Sequence, residues 1–170
     1  SGSTIEVRVH PTLIANDHPL SQVNGSFNAV YLHGHACKEM MLQGRGAGDL
    51  PTASAVVGDI LHAATVDVHV HPTFVNSANA DASLVFTNDW KTRYFLRLSI
   101  QDEPGSLAKI ATWLSSEQVS IATMMQKAEL AGSRVPLIII THEANEQAIR
   151  AALAKFDPEV CTVENMIRVE

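Results

Sequence analysis

The sequence is short of cysteine, of aromatic residues and of positive charge. Cys37 and Cys161 are the only two cysteines in 170 residues. They are too few and too far apart for a disulfide framework, so reduced thiols in a cytoplasmic setting are expected. Lysine and arginine total 12 against 18 acidic residues, a net charge of −6. No basic cluster interrupts that balance, which argues against nucleic acid as a partner. No apolar run approaches the ~20 residues of a membrane span, and no basic stretch followed by an apolar one suggests a secretion signal. No membrane partner is therefore expected. The chemistry-bearing motifs are missing too: no G-x-G-x-x-G, no Gly-Lys-Ser/Thr loop, no H-E-x-x-H, no paired C-x-x-C, and no G-x-S-x-G around Ser54.

What is present is enough apolar content, 46% with a mean hydropathy of +0.06, for one globular domain or two small ones. The chain is organised around Gly44 to Ile60. Three glycines at alternate positions, Gly44, Gly46 and Gly48, lead through Asp49, Leu50 and Pro51 into an Ala/Val-rich run. Glycine adopts backbone angles closed to other residues and lets a ligand approach the main chain. Pro51 and Thr52 suit the first turn of a helix, whose unpaired N–H groups and partial positive charge favour polar ligands. The alternative is a tight turn packed under a helix.

Before this loop, Ile5 to Val9 alternates apolar and charged residues and predicts a half-buried strand. Asn16 to Pro19 reads as a turn. Strands are expected at 29–33 and 40–43, joined as a hairpin through 34–38. After it, Thr52 to Thr65 reads as a helix with Val56, Val57, Ile60, Leu61 and Ala64 on its packed face. Residues 66–72 alternate like a strand, and 76–83 have the small polar composition of a linker. The expected organisation is a first domain over 4–75, a linker over 76–92 and a second domain over 93–170.

In the second half, Tyr94, Leu96, Leu98 and Ile100 alternate as a strand. Leu107, Ile110, Ala111 and Leu114 place a helix over 106–116. Further strands fall at 121–127 and 137–140, with a turn at 131–133. Ala148 to Phe156 follows helix spacing, and 160–169 is a last strand. Met124, Met125, Met166 and Cys161 read as packing residues. The order β-α-β-β-α-β is the split ferredoxin-like plan, so the fold class is α+β: part of a sheet-plus-helix domain followed by a ferredoxin-like module. His33 and His35, and His69 and His71, each put two imidazoles on one strand face. Zinc needs three or four ligands, and Asp67 or Cys37 would have to help, so these read as surface histidines and no metal site is assigned.

The second half resembles an ACT domain, the small amino-acid-binding regulatory module, through Asp102-Glu103-Pro104-Gly105-Ser106-Leu107-Ala108-Lys109-Ile110, Ser120-Ile121 and Ile138 to His142. The first half resembles the C-terminal part of the catalytic region of homoserine dehydrogenase, through Arg8 to Ile14, Asn28-Ala29-Val30 and Gly44 to Asp59. That family interconverts L-aspartate 4-semialdehyde and L-homoserine with NAD(P)H, in threonine and methionine biosynthesis. The resemblance implies that Gly48 lies against the nicotinamide, with Gly46 and Thr52 as neighbours. It also implies that the nucleotide-binding fold and catalytic lysine belong to sequence that this chain does not contain. The 170 residues are then an inactive piece, with no catalytic residue and no NAD(P) of its own. For the ACT half it implies an effector site at Asp102, Gly105, Ser106, Leu107 and Ile121, filled by an amino acid such as L-threonine, in a dimer or larger homo-oligomer. Many such domains carry Asn where Ser120 stands here. A free-standing amino-acid sensor and a module that only assembles subunits remain the alternatives.

Overall fold

The computed structural model describes residues 4–65, 85–87, 90–126 and 134–170. In chain order the elements are β1 (Thr4–Ile5), β2 (Thr12–Leu13), a 3-10 turn (Pro19–Gln22), β3 (Phe27–Gly34), β4 (Lys38–Arg45), α1 (Asp49–Thr65), β5 (Val85–Phe86), β6 (Lys91–Gln101), α2 (Ser106–Ser116), β7 (Ile121–Gln126), β8 (Arg134–Thr141), β9 (Ala144–Asn145), α3 (Glu146–Ala154) and β10 (Cys161–Val169). The chain divides into two compact units, one of Ser1–Leu13 with Ala82–Glu170 and one of Ile14–Asp81.

The first unit is built on the ferredoxin-like plan. Its sheet runs β2-β10-β6-β8-β7, with β9 pairing the start of β6. The neighbours β10-β6-β8-β7 are antiparallel, and β2 adds to β10 in parallel. Alternation explains the core: Tyr94, Leu96, Leu98 and Ile100 of β6 and Val135, Leu137 and Ile139 of β8 all face inward and are buried. Helices α2 and α3 close that face with Ile110, Leu114, Ile149 and Ala152, none of them exposed. Cys161 joins this core, and burial pushes its thiol up to about 11. Pro136 sits just beyond the last β7 pair, Gln126 with Leu137.

Several expectations change here. The second domain was expected to begin at 93, after a first domain over 4–75. Residues 4–13 instead belong with the C-terminal unit: β2 joins its sheet beside β10, the Glu170 N–H donates to the Leu13 carbonyl at 3.0 Å, and β1 pairs β5 in a separate two-stranded sheet. The strand expected over 5–9 is only Thr4–Ile5, and Val7 and Val9 are 76% and 101% exposed. The polar side of that segment, not the apolar one, faces the sheet. Met124 and Met125 lie on the outer strand β7 and are exposed, not core; Met166 does pack against the core. On α2, Leu107 is exposed and Ser106 is buried in its place. The short strand β9 had no period long enough to read. The expected strand at 66–72, linker residues 76–83 and turn at 131–133 lie outside the described residues.

The second unit carries a hairpin and a helix. β3 and β4 pair in register from Phe27 with Arg45 to Gly34 with Lys38, as the sequence predicts but longer at both ends. Lys38 takes a left-handed φ of 56° at the start of β4. Helix α1 begins at Asp49, three residues before the expected start, so Pro51 sits inside its first turn. The face read as packed is not covered: Val56, Val57, Ile60 and Leu61 are all more than half exposed.

Candidate functional site

Two loop-to-helix junctions and one cluster of charges hold the residues of interest. The first junction follows β4. The Gly46 N–H donates to the Ser26 carbonyl at 2.9 Å, which anchors the loop to the start of the hairpin. A Cβ on Gly46 would collide with the Asn28 side-chain amide, so only glycine fits without that side chain moving. Gly48 has a φ of +123°, a conformation that side-chain-bearing residues rarely adopt. Its carbonyl accepts the Thr52 N–H at 3.1 Å, the first bond of α1. The loop therefore brings Gly46, Gly48 and Thr52 together at one helix start. A shallow groove of about 290 Å³ lies along the hairpin beside it, lined by Asn28–Val30 and Leu42–Gly46. Of the three residues, only Gly46 borders that groove.

An NAD(P) cofactor is compatible with this loop on one ground. At Gly48 the backbone is bare and solvent-exposed, and the space a Cβ would take meets only the Pro51 ring, at 3.4 Å. A flat ring can lie against such a main chain. Gly48 and Gly46 are the residues that would contact it, and Thr52 stands one helical turn away.

The second junction is the turn between β6 and α2. Gly105, with φ +95°, occupies the N-cap position of α2. The Ser106 N–H is already used, donating to the Glu103 carbonyl at 3.2 Å, and the Lys109 N–H donates to Gly105 at 3.0 Å. The Asp102 carboxylate accepts from the Gln126 side chain of β7 at 3.5 Å. Ile121, the first residue of β7, packs against the core. The neighbouring cleft, about 320 Å³, is lined by Glu103, Ser106, Lys109, Asp157 and Glu159 among others. Its three carboxylates and one amine favour an ammonium group. Of the five expected effector residues, only Ser106 borders this cleft; Asp102 and Ile121 are turned to β7 and the core.

The charge cluster was not foreseen from the sequence. Glu146, the first residue of α3, accepts from Arg168 of β10 through Nε at 3.1 Å and Nη2 at 2.5 Å, from Arg150 at 2.8 Å, and from Arg8 at 3.2 Å. Arg8 also pairs with Glu6 and lies over the Trp90 ring, 4.6 Å from its centroid. The His10 and Trp90 rings are 5.1 Å apart. The hydrogen bond from Arg168, aided by Arg150 and opposed by burial, holds the Glu146 carboxyl at about 2. Only the i, i+4 pair of Glu146 and Arg150 has a sequence signature. Beneath the cluster the Tyr94 hydroxyl is buried without a hydrogen-bond partner among the described residues, and burial raises its pKa. Among the described residues no group of three metal-ligating side chains occurs, and no helix is long and apolar enough to cross a membrane.

The architecture is thus an α+β chain with a ferredoxin-like C-terminal unit and a glycine loop opening a helix. Its relatives agree on what such a chain belongs to. The pattern of the homoserine dehydrogenase family matches residues 1–61. The homoserine dehydrogenase of Corynebacterium glutamicum is 38% identical over 170 residues, covering 99% of this chain and 38% of that protein. The Pseudomonas aeruginosa enzyme is 40% identical, covering 91% of this chain and 37% of that protein. The crystal structure of a homoserine dehydrogenase from Thiobacillus denitrificans superposes with a TM-score of 0.78 at 36% identity, over 97% of this chain and 39% of that one. The chain belongs to the homoserine dehydrogenase family, and it spans about two-fifths of the length of the relatives it matches.

Proposed function

We propose that these 170 residues serve as the C-terminal part of an NAD(P)-dependent homoserine dehydrogenase, which interconverts L-aspartate 4-semialdehyde and L-homoserine. The cofactor supplies the hydride when bound. Gly48 presents bare main chain to its nicotinamide, with Gly46 and Thr52 close by. Residues 93–170 act as an ACT module at which an amino acid, L-threonine on pathway logic, regulates the enzyme. The assembly is cytoplasmic and at least dimeric, with no nucleic-acid or membrane partner. The 170 residues alone are inactive.

One observation carries this reading: a positive-φ glycine at the loop-to-helix junction, in a chain similar along nearly its whole length to homoserine dehydrogenases. The test is the enzyme in its longer form with Gly48→Val. We expect turnover of aspartate semialdehyde to fall at least tenfold and cofactor affinity to weaken. Unchanged values for both would end the cofactor assignment. Calorimetry of L-threonine against the 170-residue chain tests the module. Absence of heat, with no shift in melting temperature, would leave a domain that only joins subunits.

A further inference from the structure

We infer that Glu146 is a latch that holds the leading segment, residues 6–10, onto the ferredoxin-like unit, and that opening it frees the segment while the unit stays folded. Between β1 and β2, residues 6–11 make no ladder with the sheet. The two valines of the segment point to solvent, so apolar burial does not hold it there. Its two ends are tied by the β1–β5 and β2–β10 pairs, and what holds its middle is the other side of the alternation. Arg8 reaches Glu146 at 3.2 Å and stacks on Trp90, and His10 stacks on the same indole.

The receiving side is built independently of the segment. Glu146 is fixed by Arg168 and Arg150, and Arg168 is itself 5.9 Å from the Trp90 centroid. The charge count shows why the hold is specific. Three guanidiniums surround one carboxylate, and Glu6 supplies the second negative charge through Arg8. Removing the Glu146 charge leaves Arg8 facing Arg168 and Arg150 with only Glu6 to offset them, so the segment is pushed away. The core beneath, with Leu96, Leu98, Leu137 and Ile139 fully buried, is apolar and stays packed, at lower stability, when the Glu146 charge is lost.

The segment continues through Leu13 into the residues that carry the glycine loop. The latch is therefore the point at which the regulatory unit grips the chain leading to the cofactor contact. That consequence rests on the function proposed above; the latch itself does not.

Trypsin tests it on the 170-residue chain, because the scissile residue is Arg8. In the native chain its guanidinium is engaged on three sides, and cleavage after Arg8 is expected to be slow. In Glu146→Gln it should speed up at least tenfold, with the circular dichroism of the folded unit unchanged. Arg150→Gln, which removes a mainly exposed arm, should cleave at the native rate. An unchanged rate in Glu146→Gln would overturn the proposal. Should Glu146→Gln not fold, Arg8→Gln decides: in a Trp113→Phe background the Trp90 emission must change as the guanidinium leaves the indole. Emission identical to the parent would reject the latch.

Discussion

Arg168 grips Glu146 with two nitrogens of one guanidinium, Nε on one carboxylate oxygen at 3.1 Å and Nη2 reaching both, at 2.5 and 2.6 Å. The planar fork matches the carboxylate, and the pair is only 13% and 12% exposed. The folded-state carboxyl titrates near 2 against 4.5 when unperturbed. A depressed folded value stabilises the fold fully above the unfolded value and loses that contribution as pH falls through the folded one. Urea unfolding should therefore show a loss on the order of 2–3 kcal/mol between about pH 5 and pH 2. Glu146→Gln should remove most of that acid dependence. An identical pH slope in the variant would refute the assignment.

Gly48 and Gly44 make a matched pair of substitutions. Gly48 has a positive φ, whereas Gly44 has neither a positive φ nor any atom within 4 Å of an added Cβ. Gly48→Ala should cost about 1–2 kcal/mol, and Gly44→Ala should stay within roughly 0.5 kcal/mol. Hydrogen exchange of the amides at the start of α1 reads both. Equal effects would mean that φ is not what selects glycine at 48.

Leu98 is fully buried and Leu107 is 37% exposed. Truncating each to alanine should separate them: about 2–5 kcal/mol for Leu98, from lost transfer energy and the cavity, and less than about 1 kcal/mol for Leu107. Chemical denaturation of the two variants supplies the comparison.

The two thiols should differ as sharply. Cys161 is 2% exposed with its titration pushed up to about 11, while Cys37 lies exposed beside the β3–β4 turn. Iodoacetamide at pH 7.5 should modify Cys37 and spare Cys161 until urea unfolds the chain. Mass spectrometry of tryptic peptides would show it, and early labelling of Cys161 would contradict its burial.

The sequence made the β6 core legible because every second residue from Tyr94 to Ile100 is large and apolar, and both neighbouring strands are present to cover them. It misled at α1, because a period of 3.6 says which residues share a face and not whether anything lies on it. It misled again at Val7 and Val9, where matched charges win the inward side over two valines. The Glu146 cluster was unreadable for a different reason: Arg8, Glu146 and Arg168 meet only after β10 is laid beside β6 and the leading segment is tied to β10 through β2. The glycine loop was visible as composition, but the angle that singles out Gly48 from Gly44 is a property of the backbone.

Between Ile14 and Thr65 no residue is buried. Helix α1, 17 residues long, then leans mainly on its own backbone ladder, and Gly58 with the β-branched Thr52, Val56, Val57 and Ile60 keeps its intrinsic propensity low. Heating should not melt the chain in one step. The helical signal should fade over a broad range while the ferredoxin-like unit holds, so the sharp peak of a calorimetric trace would absorb less heat than 170 residues of uniform cooperativity require.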